Sequence, residues 1–381
     1  MLEFTDQQKQ WRDSVRKFVS EEVSPLARQI DQEARIPDEL RWKMAKQGYF
    51  GISRPQRYGG HSGSLVDLCL ALDELAYASV SVAERISATN LTEIPLYLYG
   101  TQDLVEKYAV PMAKGEKIGS MCITEPAHGS DVASMETYAR LDGDHWVVNG
   151  AKRYMDNAAI SDTYVVFLKT DLDVRPKHKG ISTIVIPRES PGFTAFSHDL
   201  LGGRGLDVGG FTMKDCRVPR ENLIGEQGQG FYHVMKLFEY ARPVVASLAL
   251  GLARGAYDAA MEYAKSRIEF DQPISSFQLI QAKIADMTVD IEASHLLTYQ
   301  SAFAMDRGTP SDRLAAVAKL FTSEAVVRVA DHAVQIGGTD GYCKSHPMER
   351  FYRDARMFPI GEGTSEILRL LIARRELETK R

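Results

Sequence analysis

Cysteine is scarce in this chain of 381 residues: there are four, Cys69, Cys122, Cys216 and Cys343, widely scattered and forming no CxxC pair. Such spacing supports neither a zinc site nor a disulfide framework, and no metal is expected. A long hydrophobic run is also missing. The opening MLEFTDQQKQW has no apolar signal-type core, and the stretch from Val244 to Ala253 is by itself too short to span a bilayer. No membrane contact is therefore expected, and the location expected is the cytoplasm of a bacterium or the mitochondrial matrix of a eukaryote. A basic excess is absent too: the formal net charge of −5 argues against general affinity for nucleic acid, so a phosphate-bearing ligand must meet local basic residues. There is no internal repeat, low-complexity tract or long charge block. Glycine runs such as GGRGLDVGG lie in a β context without the strand-to-helix setting of a Rossmann or Walker fingerprint, which speaks against nicotinamide binding by that route.

What is present is ordinary for a soluble globular protein, with 44% hydrophobic and 25% charged residues and a length that allows two or three domains. Thr5 and Gln8 make a capping-box pattern ahead of Trp11, Val15, Phe18 and Val19, which fall on one helical face. Leu65, Leu68, Leu72 and Leu75 repeat that spacing, so residues 1–117 are expected to be α-helical. From 118 to 228 the texture changes to short β-branched or aromatic runs, HWVVNG, TYVVFLKTD and GISTIVIPRES, with an Asp-Gly turn signal in LDGDHW. Helical spacing returns over 229–381, through Val234, Leu237, Ala241, Val245, Leu248 and Leu252, then Ile280, Ile284, Met287 and Ile291. The class expected is α+β multidomain.

Polar motifs sit at the junctions, where loops commonly carry function. They are CITEPAHGSD (122–131), RIEFDQPISSFQ (267–278), AVQIGGTDGY (333–342) and FPIGEGTSEILRLLIARREL (358–377). In the last, Glu362 stands between Gly361 and Gly363. Flanking glycines remove side-chain bulk and free the backbone, so an acid can be presented to a ligand. The same residues also read as a plain helix start, with Thr364 as cap and Glu366 in the first turn.

Taken together and in this order, the four motifs resemble those of the acyl-CoA dehydrogenases over essentially the whole chain. The resemblance implies an N-terminal helical domain, a middle β-barrel-like domain and a C-terminal four-helix bundle, with FAD held between them in a homotetramer. It implies α,β-dehydrogenation of an acyl-CoA thioester and transfer of electrons to an electron transfer flavoprotein. An α-proton beside a thioester is weakly acidic, and a carboxylate in an apolar pocket has a raised pKa suited to removing it. Glu362 matches the family's base. Some relatives carry the base on the helix after the β domain, where KLFEYARPVVA has Ala241, which takes no proton. Glu239 and Arg242 match positions near the CoA; as plain helix residues they would form an i,i+3 ion pair. The resemblance also places Gly361 and Gly363 beside the acyl group. For the flavin the resemblance carries over Ile123, Thr124, Gly129, Ser130 and Thr364, and for its adenosine side, across a subunit interface, Arg267, Phe270, Gln278, Gln335 and Gly338.

This chain also departs from the family pattern. Gly361 replaces a tyrosine, which makes bulky, branched or cyclic acyl groups plausible. Thr339 and Asp271 each replace a glycine. In KRYMDNAA, Tyr154 stands where the family's tryptophan meets the flavin, and Asp156 replaces a threonine that bonds the flavin's hydride-accepting nitrogen. A carboxylate there either keeps a proton and donates as the hydroxyl would, or turns away to bond backbone. Arg85 is read as a surface arginine rather than a partner for a carboxylated acyl tail. An enoyl-CoA reductase, an acyl-CoA oxidase, a user of acyl-carrier-protein thioesters and a non-catalytic acyl-binding scaffold remain alternatives.

Overall fold

A computed structural model describes residues 3–378. The first helix, Asp6–Phe18, starts as its sequence dictates. The Thr5 hydroxyl accepts from Gln8 N–H at 3.1 Å while the Gln8 side chain accepts from Thr5 N–H at 3.0 Å. Val15, Phe18 and Val19 turn into the core, and Trp11 lies at its edge with the indole N–H on Asp67 O at 3.0 Å.

Helices Leu65–Ala78 and Val80–Tyr99 follow, broken at Ser79, which takes an extended conformation. Every residue from Val80 to Leu96 is buried. A helix buried all round belongs to the interior, and this one packs on the helix Gly230–Ser266 and on the strand Gly119–Cys122. Arg85 is accordingly not the surface arginine its residue type suggested. It is 5% exposed, points one guanidinium nitrogen at Gly205 O at 3.5 Å, and burial lowers its pKa to about 10.

Strands Gly119–Cys122, Tyr138–Asp142, His145–Met155, Thr163–Lys169, Ile181–Pro187, Phe193–Ser197, Gly209–Pro219 and Leu223–Ile224 make one eight-stranded sheet. The Asp-Gly signal is a tight turn: Asp142 pairs with His145 across Gly143, which has φ +63°. The sheet has two halves joined by a single register pair, Tyr138 opposite Lys169. It folds across that seam, so Trp146 and Val148 of one half share a core with Val166 and Ile184 of the other. This is the barrel-like arrangement expected.

The last part holds three long helices, Gly230–Ser266, Gln278–Asp306 and Asp312–Tyr342, and a shorter fourth, Ser365–Glu378, packed on the third. Non-helical torsions at Gly338 interrupt the third. The apolar stretch at Val244–Ala253 proves to be the middle of a 37-residue helix that is, by length and composition, apolar enough to cross a membrane; 72% of that window is buried in this fold, as in the core helix of a soluble protein. Its contact with Leu65–Ala78 is close: a Cβ on Gly251 would stand 2.1 Å from Asp73 O, and one on Gly255 2.2 Å from Tyr77 O. Arg254 crosses the same seam to Asp73 at 2.6 Å and Glu74 at 3.2 Å.

Candidate active site

Glu362 lies in the segment between the helices Met348–Ala355 and Ser365–Glu378. Its backbone is left-handed, φ +53°, and so is that of Gly363, φ +91°. A non-glycine residue holds that conformation only where its surroundings impose it. Here the constraint comes from Lys319. Its buried Nζ donates to the carbonyls of Phe358 at 2.8 Å, Gly361 at 2.7 Å and Gly363 at 2.7 Å, one acceptor for each ammonium proton. Phe358 anchors the segment in the core. Beyond it Thr364 does cap the next helix, its hydroxyl accepting from Ile367 N–H at 3.3 Å. The helix-start reading holds, and it leaves room for the acid reading because cap and acid are different residues two positions apart.

The Glu362 side chain enters a cavity of about 480 Å³ that draws its walls from all three parts of the chain. The TEP loop contributes Ile123, Thr124, Gly129 and Ser130, and the end of the third strand contributes Tyr154 and Asp156. Arg242 enters from the long helix, and Gly361, Gly363 and Thr364 flank the acid. No group among the described residues donates to Glu362 Oε2, although that atom is buried. Burial raises the Glu362 pKa, against the opposing pull of Lys319 and Arg242. Ala241 is wholly buried and stays out of the cavity lining, so the family's other base position offers no acid.

The TEP loop is fastened from behind. Glu125 is buried against Lys152 at 2.8 Å, and the same ammonium holds Ile123 O at 2.8 Å. Lys152 and Glu125 thus fix the loop, with Glu125 also reaching the cavity lining. The loop leaves the N–H groups of Gly129 and Ser130 without acceptors among the described residues, and a Cβ on Gly129 would meet only Thr124 Cγ2 at 3.9 Å. Unspent donors on an open backbone, beside apolar walls from Met121, Ile123 and Phe238, suit a flat heteroaromatic ring with carbonyl acceptors. The residues present therefore fit a flavin.

Two pairings differ from the sequence reading. Glu239 lies outside the cavity and binds Lys236 at 2.7 Å, so the expected ion pair with Arg242 gives way to one on the other side of the same helix turn. Arg242 instead lays its guanidinium over Phe238 at 5.4 Å and leaves Nε buried without a partner. Arg267, Phe270, Gln278, Gln335 and Gly338 all lie outside the cavity as well. They form a second group on the surface of the helical part. Ile268–Glu269 and Gln272–Pro273 make a hairpin whose two turn residues, Phe270 and Asp271, both take positive φ. That is the conformation for which a glycine is usual at the Asp271 position. Tyr263 OH on Asp340 at 2.8 Å links this hairpin's base to the segment after Gly338.

One cavity residue escaped the sequence reading. Glu84, on the buried helix, lines the cavity together with Asp156, and each carboxyl bears on the other's charge. Asp156 sits between two residues of positive φ, Tyr154 and Asn157, which turn its side chain inward; among the described residues no backbone N–H donates to it, and the turned-away alternative is not what forms. Burial, then repulsion from Glu362, pushes Asp156 up to about 7, and burial with repulsion from Asp156 and Glu362 pushes Glu84 well above the carboxylate range. No local signal singles it out, because the same helix also buries Arg85, Asn90 and a second acid, Glu93.

Comparison with known proteins covers the whole chain. Family models described as acyl-CoA dehydrogenase N-terminal, middle and C-terminal domains match residues 5–116, 120–216 and 228–377. A probable acyl-CoA dehydrogenase of Bacillus subtilis is 38% identical over 99% of this chain and 100% of its own. A 3-(aryl)acrylate reductase of Clostridium sporogenes is 37% identical over 97% and 98%. The structure of butyryl-CoA dehydrogenase from Megasphaera elsdenii superposes with a TM-score of 0.95 at 33% identity, covering 99% of each chain.

Proposed function

The chain belongs to the acyl-CoA dehydrogenase family, oxidoreductases acting on CH–CH bonds, and from that premise we propose that it desaturates an acyl-CoA thioester at the α,β-carbons, with Glu362 as the base. The observation that carries this reading is the Glu362 carboxylate, held in the cavity by an imposed left-handed backbone, with Oε2 unpartnered and its basicity raised by burial. A base that needs no partner to be broken can take a proton as soon as one is presented. Arg242 and Lys319 oppose the upward shift that burial gives the acid, and in the same field they favour the negative charge that develops on a thioester carbonyl as its α-proton leaves.

FAD, when bound, supplies the acceptor for the β-hydrogen. Ile123, Thr124, Gly129, Ser130, Tyr154, Asp156 and Thr364 would hold its ring system, and Arg267, Phe270, Gln278, Gln335 and Gly338 would hold the adenosine side of a neighbouring subunit's FAD. Support for a homotetramer comes from the apolar side chains left open on the helical part: Phe270 is 86% exposed, Leu279 81% and Tyr342 80%. The open space at Gly361, where a Cβ would meet only Met357 O at 3.8 Å, supports a branched or cyclic acyl group. An electron transfer flavoprotein is the acceptor that fits the family.

The test is an anaerobic titration of the purified, FAD-loaded protein with a panel of acyl-CoAs. Bleaching of the flavin band by one class is the expected result; a protein that binds no FAD and responds to no thioester would overturn the reading. The aryl-acrylate reductase relative favours a second reading, reduction of an enoyl thioester. Dithionite-reduced protein should then be reoxidised faster by a 2-enoyl thioester than the oxidised form is bleached by the saturated one. Hydrogen peroxide formed in air would mark an oxidase.

A further inference from the structure

An acyl pocket made for a hydrocarbon is lined by hydrocarbon. The cavity beside Glu362 has such walls, Ala88, Leu91 and Val245 among them, yet Glu84 and Asp156 stand in the same lining. Burying a polar group without a partner costs about 1–3 kcal/mol, and burying a charge costs more. The chain does little to meet that cost. Both cations near the cavity, Arg242 and Lys319, bear on Glu362. Among the described residues no lysine or arginine bears on Glu84 or Asp156, whose charged neighbours are carboxyls, and no group donates to the buried Glu84 Oε2. Two elements from different parts of the chain bring these acids together, the buried helix and the bracketed strand end.

Resting on the dehydrogenase reading above, we propose that Glu84, in the lining it shares with Asp156, is a recognition site for an N–H or O–H donor on the acyl group, so that the substrate class is an amino- or hydroxyacyl thioester rather than a plain acyl hydrocarbon. Glu84 presents its unpartnered Oε2 to the ligand, beside the Asp156 carboxyl that shares the lining. An ammonium would satisfy both the charge and the open acceptor; a hydroxyl would satisfy the acceptor alone. Discrimination follows from the open acceptor: a methyl in place of the donor leaves the buried carboxyl oxygens unpaired.

The experiment compares isosteres on the FAD-loaded protein: 4-hydroxybutanoyl-CoA against pentanoyl-CoA, and 4-(dimethylammonio)butanoyl-CoA against 5-methylhexanoyl-CoA. The donor member of at least one pair should have kcat/KM higher by roughly 10- to 100-fold, as expected for a hydrogen bond to a charged group. Preference confined to the ammonium assigns an aminoacyl group, and preference for the hydroxyl assigns a hydroxyacyl group. Glu84→Leu should bring both ratios toward one. Where that variant fails to fold, Glu84→Gln serves, and should lose the ammonium preference first. Calorimetric Kd values for the matching thioethers, in which a methylene replaces the carbonyl, give the same ratios without turnover. Donor and methyl members handled alike in rate and in binding would overturn the proposal while leaving the dehydrogenase standing. Binding that favours the donor with no turnover of any thioester would instead overturn the dehydrogenase.

Discussion

Two residues on the cavity wall differ in what they do to a proton, and a third acts through its lack of bulk. Glu362 is an acid whose upward shift from burial is opposed by two cations, Lys319 and Arg242. Its replacement in Glu362→Gln should leave FAD and acyl-CoA binding in place and lower turnover by about 10²–10⁴-fold, since Ala241 offers no substitute. Stopped-flow reduction of the purified variant at a near-wild-type rate would remove Glu362 from the role. Asp156 is an acid beside acids, and its titration bears on stability. Its folded pKa, about 7, lies above the usual carboxylate value of 3.8. The folded chain therefore binds more protons than the unfolded chain between those values, and stability falls as pH rises through that window. Asp156→Asn removes this penalty. The melting temperature of the variant should gain on wild type progressively from pH 4 to pH 8, and a difference that stays flat with pH would show that the carboxyl is not held protonated. Gly361 adds a steric term. Its Cβ position is open, so Gly361→Tyr should fold and should lower kcat/KM for branched or cyclic acyl-CoAs relative to linear ones. Unchanged ratios would mean that the glycine serves only the backbone.

At the scale of elements, the catalytic segment is short and has no regular structure of its own, so it depends on a side chain from another helix. Lys319 satisfies three carbonyls of residues 358–363 at once. Lys319→Met keeps the buried stem but leaves those carbonyls without their donor, at roughly 2–4 kcal/mol. Chemical denaturation should show that loss, and the rate of flavin reduction by substrate should fall as Glu362 loses its fixed backbone. Wild-type stability would show that the three bonds are replaced by water. The TEP loop follows the same logic through Lys152 and Glu125. In both cases a buried ammonium gives an irregular segment one conformation, which hydrophobic contact alone would leave loosely defined.

At the scale of the whole molecule, the site exists because three parts of the chain meet. The seam between the first helices and the long helix Gly230–Ser266 is closed by glycine contacts at Gly251 and Gly255. It is locked by Arg254 between Asp73 and Glu74, with Arg16 on Glu74 at 2.9 Å and Tyr299 on Asp73 at 3.0 Å. The hairpin at Phe270 points the other way, outward, with a large ring 86% exposed. If that ring reaches a neighbouring subunit's FAD, Phe270→Ala should weaken FAD retention and tetramer assembly together. Sedimentation and the flavin-to-protein ratio after gel filtration measure both, and a fully loaded tetramer would show that the ring does neither.

The sequence by itself determined the order of helices, sheet and helices, because periodicity and turn residues are local properties. The Thr5–Gln8 capping box, the Gly143 turn and the Thr364 cap each depend on residues within a few positions of one another. The motif order pointed to the family and singled out Glu362, since a carboxylate between two glycines is visible in a string of letters. What only the tertiary structure decided are relations between distant residues. Arg85 reads as a surface residue by type and is interior because its helix is enclosed on all faces. Glu239 chose Lys236 over Arg242 because Arg242 turned into the cavity, where it bears on an acid 120 positions further along the chain. Glu84 and Asp156 are 72 positions apart, and nothing in either neighbourhood announces the other. Local patterns record what a residue does to its own backbone, whereas the charge and proton affinity of a site are set by the groups that packing brings within a few ångströms, and that proximity arises only when the chain folds.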